Sequence, residues 1–330
     1  MHSSFFFKFS ALIASVAAGD VINPRDESPF TTVKDNRLVY QFTNGTTIEN
    51  IAVRSSGSLL VTLSSQPELY EVDPFNPESP KLVHHFSGYL ALVGITEVSP
   101  DVFTLIASNF SAGTAVSPGS WTVWQVAFDD EQTEISKITD LPGAEFPNGM
   151  TTLETTPNTV LIADSAAGVV YSVNTQTGEH QVVLEDETFK AAPGSPQPIG
   201  VNGIRYLDPY VYYTNSFGPL FGRVPVNGSG GAVGDFEIIL TGIIGDDFAV
   251  TPQAAYIAGN PTNVVTEVKL DGESKFIAGN INSSLVAGAT SAQFGKTAQD
   301  SNVLYVTTTG TVNATFTEGG KIMALDLDTE

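Results

Sequence analysis

One short pattern starts six times along this 330-residue chain: at Glu49 in TIENIAV, Val93 in LVGITEV, Asn148 in FPNGMTTL, Asn202 in GVNGIRY, Asp246 in GDDFAV and Thr290 in GATSAQF. Successive starts lie 44, 55, 54, 44 and 44 residues apart. A period of about 40–50 residues, divided into short runs rich in Val, Ile, Thr, Tyr and Phe and bounded by Gly, Pro, Asn and Asp, specifies four-stranded blades around an axis. The expected fold is therefore all-β: a six-bladed β-propeller with blades near 46–87, 92–142, 146–185, 199–241, 244–279 and 288–328. The last repeat supplies three strands of its own. The run RLVYQF at 37–42 is the natural fourth, pairing with 321–327 to close the ring. Closure removes two free sheet edges, which matters in a chain without cysteine, where no disulfide can help.

Composition narrows the function classes. The net charge is −22 with 14 Lys and Arg, which disfavours nucleic acid and anionic membrane surfaces as partners. Residues 1–18 read as a secretory signal: Lys8, an apolar run over 5–18, and Val16-Ala17-Ala18 as the cleavage site. That run is too short to span a bilayer, and no later run is long enough, so no transmembrane segment is expected. Residues 19–330 then form a single domain in the secretory pathway, secreted or vesicular. Five Asn-x-Ser/Thr sequons, at Asn44, Asn109, Asn227, Asn282 and Asn313, agree with that route. The missing cysteine excludes thiol nucleophiles and thiolate metal sites.

In a propeller the first strand of each blade lines the axis, so the six pattern starts form a ring. Four of them carry oxygen: Glu49, Asn148, Asn202 and Asp246. Carboxylates mixed with amide carbonyls suit a hard cation, calcium first, and not zinc or copper. Asn-Gly and Asp at strand starts are also ordinary turn chemistry, but turns alone do not explain one shared register. The next positions, Asn50, Asp247 and Ser291, are polar as well and join the ring as substrate-binding candidates; Asp247 is an alternative to Asp246 as the inward residue. His84, His85 and His180 fall on fourth strands, far from the axis, and no Gly-x-Ser-x-Gly elbow occurs. Phe110, Trp121 and Phe217, beside loops, are candidates to wall an apolar pocket, although core packing is the default for such residues.

Two resemblances follow from these motifs. Glu49 in IENIAVRSSGSLLVT, Asn148 in FPNGMTTL, Asn202 in VNGIRYLDPYVYYTNS and Asp246 in GDDFAVTPQAAYIA resemble the site of the senescence marker protein/gluconolactonase propellers. That likeness implies Glu49, Asn202 and Asp246 as ligands of one divalent metal and Asn148 on the substrate side; Asp247 departs from the glycine of that pattern. ENIAVRSSGSLLVTL, GITEVSPDVFTLIASNF, VLIADSAAGVVYSVN, GATSAQFGKT and GGKIMALDL resemble, over nearly the whole mature chain, a fungal set of secreted propellers. That set is similar to the hetero-Diels-Alderases of tropolone-sesquiterpenoid pathways. It implies a pericyclase joining an apolar terpene olefin to a polyketide-derived quinone methide; the ring residues Asn148, Asn202 and Asp246 are the catalytic candidates, and no organic cofactor is expected. The alternatives are a metal-dependent lactonase of the gluconolactonase type and a non-catalytic ligand-binding propeller.

Overall fold

The computed structural model describes residues 30–110, 119–129, 132–313 and 315–328. The signal-like residues 1–18, and the loop insertion at 112–120 save its last two residues, lie outside that range.

Six antiparallel four-stranded sheets follow one another along the chain. Blade 1 comprises Ile48–Val53, Leu59–Leu63, Glu68–Val72 and Lys81–His85; blade 2 comprises Ala91–Ser99, Val102–Ser108, Thr122–Phe128 and Thr133–Asp140. Blade 3 is built from Pro147–Thr152, Thr159–Asp164, Val169–Asn174 and His180–Glu185; blade 4 from Val201–Leu207, Tyr210–Asn215, Leu220–Pro225 and Glu237–Thr241. Blade 5 has Phe248–Val250, Ala254–Gly259, Val264–Lys269 and Ser274–Gly279. Blade 6 has Ala289–Phe294, Val303–Thr308 and Lys321–Asp328, and its outermost strand is Thr32–Gln41 from the amino-terminal end. That closing strand pairs along its length, from Thr32 opposite Asp328 to Gln41 opposite Lys321. Just before it, the Thr31 backbone N–H and hydroxyl donate to the Glu267 carboxylate of blade 5 at 2.8 and 3.0 Å. The chain thus ties two blades before it enters a third. Among the described residues no helix is long and apolar enough to cross a membrane.

The apolar core is divided by the same geometry. Each blade-to-blade junction holds its own cluster of buried side chains, such as Leu161, Phe189, Ile204 and Tyr213 between blades 3 and 4, or Val39, Ile48, Tyr305 and Ile322 across the closure. Alternation along each strand supplies residues to both neighbouring junctions. The outermost strand of every blade carries an extra residue relative to its partner at an equivalent place: Val39, Val83, Ile138, Val183, Ile239 and Ile277; the closing strand has a second at Lys34. The six equivalent residues are β-branched and apolar, and each packs on a junction cluster. The bulges therefore turn an edge residue back into the core.

Innermost strands of adjacent blades meet closely at the axis. A Cβ on Gly94 would lie 2.1 Å from the Asn148 carbonyl oxygen, and one on Gly149 would lie 2.1 Å from that of Asn202. At Gly203 it would lie 2.7 Å from the Asp246 carbonyl oxygen. Any side chain there would force neighbouring backbones apart. Gly149→Ala should cost about 3 kcal/mol of stability by overpacking. Gly143→Ala, whose Cβ would meet only the Tyr171 hydroxyl at 3.8 Å, should stay within about 0.5 kcal/mol. Urea unfolding of the two variants checks this pair of expectations.

Candidate functional site at the channel ring

The ring residues owe their orientation to a bulge in each inner strand. In blade 1, Ile48 pairs with Leu63 and Asn50 with Thr62, leaving Glu49 as the extra residue. Blades 2, 3, 4 and 6 carry the same irregularity at Val93-Gly94, Asn148-Gly149, Asn202-Gly203 and Thr290. In blade 5, Asp246 N–H and the Asp247 carbonyl both bond Ala258, at 2.8 and 3.0 Å, so two residues oppose one. A bulge re-aims a side chain without ending the strand. Six of them at one register put the six pattern starts at equivalent places around the axis.

Four of the six form a polar arc. Glu49 accepts hydrogen bonds from Asn148 and Ser64. Asn202 Nδ2 donates to Asp246 Oδ1 at 2.9 Å and to Ser216 Oγ at 2.9 Å. Asn260 Nδ2 donates to Asp246 Oδ2 at 3.2 Å. Val93 is buried in the junction of blades 2 and 3, and the Thr290 hydroxyl is spent on the Ile48 carbonyl and Thr307. Asn148, Asn202 and Asp246 are buried; Glu49 keeps part of its surface open while protein surrounds its carboxyl group.

Electrostatics follow from that enclosure. Burial pushes the Glu49 carboxyl up to about 7, against the bonds from Asn148 and Ser64, with Asp247 adding to the rise. Burial also pushes Asp246 well above the usual carboxylate range, helped by the charge of Glu49. Among the described residues no ion pair involves either group. One acceptor stays bare: Asn202 Oδ1 is buried without a partner. An orphaned acceptor of this kind costs about 1–3 kcal/mol, so the site favours a guest or a proton that brings positive charge. Two carboxylates and a bare amide oxygen fit a hard cation in donor type; His and Cys are not represented, and no group of three His, Cys, Asp or Glu suited to a metal occurs among the described residues.

The positions one residue further form a separate network. Asn50 Nδ2 donates to Asp247 Oδ2 at 2.8 Å, Ser291 Oγ donates to Asn50 Oδ1 at 3.1 Å, and the Arg205 guanidinium pairs with Asp247 Oδ2 at 2.6 Å. Phe248 N–H bonds Asp247 Oδ1 at 2.8 Å. Asn50, Asp247 and Ser291, expected to touch substrate, are thus buried and bonded to one another across blades 1, 5 and 6. The arrangement gives them a locking role, and Asp246 rather than Asp247 stands in the arc with Glu49. Trp121 is likewise packed into the junction core, its indole N–H on the Glu145 carbonyl at 3.2 Å. Phe110 is half-buried, edge-on to Phe146 at 5.1 Å, two residues from Asn148. Phe217 is half-buried in the loop after the second strand of blade 4. His84, His85 and His180 sit on outermost strands. Sequence reading missed Ser64, Ser216 and Asn260. Their signal is a polar residue directly after a second strand, in phase with the ring.

No family model matches the chain. Over 306 residues it is 28% identical to a protein of Phoma sp named as a candidate hetero-Diels-Alderase, covering 82% of this chain and 86% of the relative. Over 310 residues it is 26% identical to one of Sarocladium schorii with the same description, covering 82% and 77%. Among solved structures it resembles a calcium-binding protein, regucalcin, of Agrobacterium tumefaciens, with a TM-score of 0.62 at 16% identity, covering 88% of this chain and 93% of that one. A luciferin-regenerating enzyme also has a TM-score of 0.62, at 11% identity, covering 89% and 95%. These structural likenesses concern the fold.

The raised Glu49 pKa sets a direction for stability. The unfolded chain releases this proton near the ordinary value of 4.5, the folded chain near 7. The native state holds the proton more tightly, so the contribution is complete below pH 4.5 and is lost as pH rises through 7. The unfolding free energy of the wild type, minus that of Glu49→Gln, should therefore fall between pH 4 and 8. A flat difference would mean that Glu49 ionises as it does in water.

Proposed function

We propose that the chain is a pericyclase of the hetero-Diels-Alder type, joining an apolar olefin to a quinone methide at the channel ring. The similarity to two proteins so named, over 82% of the chain, carries this reading. The arrangement of the ring supports it. The reaction forms one C–C and one C–O bond together, with no leaving group and no nucleophile supplied by the protein. What it needs is two partners held in one geometry, which lowers a barrier by up to about 7–11 kcal/mol. It also gains from a donor at the carbonyl oxygen of the quinone methide, where negative charge builds as the bonds form.

Glu49 serves as that donor. With its carboxyl raised to about 7, it keeps a proton through the acidic range and presents an O–H to the substrate oxygen. Asn148 holds the Glu49 carboxyl; Asn202 and Asn260 hold Asp246, leaving Asn202 Oδ1 as an acceptor facing no protein donor. Phe110, edge-on to Phe146, and Phe217, next in the chain to Ser216, are half-buried and are the aromatic candidates for apolar contact with substrate. Glu49, Asn202 and Asp246 would hold a calcium ion in the same place, and such an ion, when bound, polarises a carbonyl oxygen. Lactone hydrolysis is the second reading, favoured by that same donor set.

Purified protein incubated with a humulene-type olefin and a quinone methide precursor should form the adduct as one stereoisomer. Glu49→Gln and Asn202→Ala should each lower kcat/KM about 10²–10³-fold, with product handedness falling toward that of the uncatalysed reaction. Adduct formation no faster than in buffer, together with turnover of simple aldonolactones that chelation abolishes, would overturn the assignment in favour of a hydrolase.

The signal-like residues 1–18 and the five sequons support, in this reading, passage along the secretory route. Asn44, Asn109, Asn227, Asn282 and Asn313 are all exposed, so each is open to a glycosyltransferase. Protein from a fungal secretion host should shift to faster electrophoretic mobility on endoglycosidase treatment. An unchanged band would argue against secretory passage.

A further inference from the structure

Each blade has a polar residue directly after its second strand: Ser64, Asn109, Ser165, Ser216, Asn260 and Thr309. Three of them touch the ring, and each does so in its own blade: Ser64 on Glu49, Ser216 on Asn202 and Asn260 on Asp246. These are the blades whose ring residues supply the two carboxylates and the bare amide oxygen.

The bonds have a direction. A side-chain amide has two N–H donors and one carbonyl acceptor. The Ser216 hydroxyl donates to the Gly245 carbonyl at 2.7 Å, so it meets Asn202 with a lone pair. Asn202 Nδ2 spends one N–H on Ser216 and the other on Asp246 Oδ1, both at 2.9 Å. Turning the amide over would set its oxygen against the Asp246 carboxylate and leave Nδ2 without either acceptor. One orientation is therefore enforced, and in it Oδ1 has no protein partner although it is buried. On the other side, Asn260 Nδ2 reaches Asp246 Oδ2 at 3.2 Å, so both oxygens of that carboxylate are fixed.

We propose that Ser216 and Asn260, with Ser64 behind Glu49, are positioning residues that hold Asn202 Oδ1 and the two carboxylates as one preorganised oxygen face for a divalent cation. The proposal rests on the ring being the functional site. Groups that orient a metal ligand typically govern affinity by 10–100-fold, and here the serine hydroxyl decides which end of an amide is offered.

Two readouts on the full-length chain test it. In side-chain amide NMR, the Asn202 pair, identified by its loss in Asn202→Asp, should be protected from solvent exchange. Ser216→Ala should reduce that protection at least tenfold, and Ser216→Thr, which keeps the hydroxyl, should restore it. In calorimetry with calcium alone, Ser216→Ala and Asn260→Ala should bind about 10–100-fold more weakly than the wild type, with Ser216→Thr again recovering. Unchanged amide protection and unchanged calcium affinity in Ser216→Ala would overturn the proposal, as would a loss that threonine does not rescue. A wild type that binds no calcium, with amide protection behaving as expected, would overturn the cation as guest and leave the orientation of Asn202 standing.

Discussion

Close contact of inner strands around the axis is the constraint on which the rest of this molecule depends. At three crossings the approach leaves no room for a Cβ: Gly94 faces the Asn148 carbonyl, Gly149 that of Asn202 and Gly203 that of Asp246. The carbonyl of a ring residue reaches the preceding blade, where a threonine bonds it at Val93, from Thr62 Oγ1, and at Asp246, from Thr214 Oγ1, both at 2.6 Å. Bulges make that contact possible, because the extra residue bends the strand where it meets its neighbour. The same bulge sends two successive residues into different surroundings. Glu49 joins Asn148 and Ser64, while Asn50 joins Asp247 and Ser291.

Two layers of opposite electrostatic character result. In the lock, Asp247 is neutralised by Arg205 and takes further bonds from Asn50 and the Phe248 N–H. A buried pair with its remaining lone pairs filled is satisfied within the protein, while the Asp247 charge still adds to the rise of Glu49 and Asp246. In the arc, Glu49 and Asp246 have amide and hydroxyl donors only; burial raises the cost of ionising both, and the charge of Glu49 adds to that of Asp246. The fold thus spends Arg205 on the carboxylate that holds blades together, and leaves the arc seeking positive charge. A proton on Glu49 or an incoming cation satisfies the same requirement, which is why both readings of the ring grow from one geometry.

How much of this was legible in the sequence differs by level. Spacing alone revealed the blades, because each repeat must bury its faces against the next. The unpaired run at 37–42 showed how the ring closes, although the observed strand begins earlier, at Thr32. Glu49, Asn148, Asn202 and Asp246 shared a register that could be read without coordinates. The bulges could not be read, because an extra residue is defined only against its partner strand. Without them, Asn50, Asp247 and Ser291 look like neighbours of the site rather than members of a separate lock. For Trp121 core packing was the default reading and the structure places it there, with surroundings from blade 3 as well as its own, which no single repeat displays. Ser216 and Asn260 lie 14 residues beyond Asn202 and Asp246 respectively, a distance that closes only once the hairpin between them forms.

The arc also bears on which chemistry suits it. A hydrolase using Asp246 as base needs a carboxylate free to take a proton from water. Asp246 instead has each oxygen tied to an amide N–H, and those bonds stabilise it where it stands. Glu49, across the arc, is held by Asn148 and Ser64, shares the elevated affinity for a proton, and keeps part of its residue surface open. An arrangement with one adaptable donor, one fixed carboxylate and an amide whose orientation is enforced resembles a mould more than a proton relay. Moulds serve reactions whose difficulty lies in orientation, where the rate comes from holding two partners together and from one well-placed positive charge.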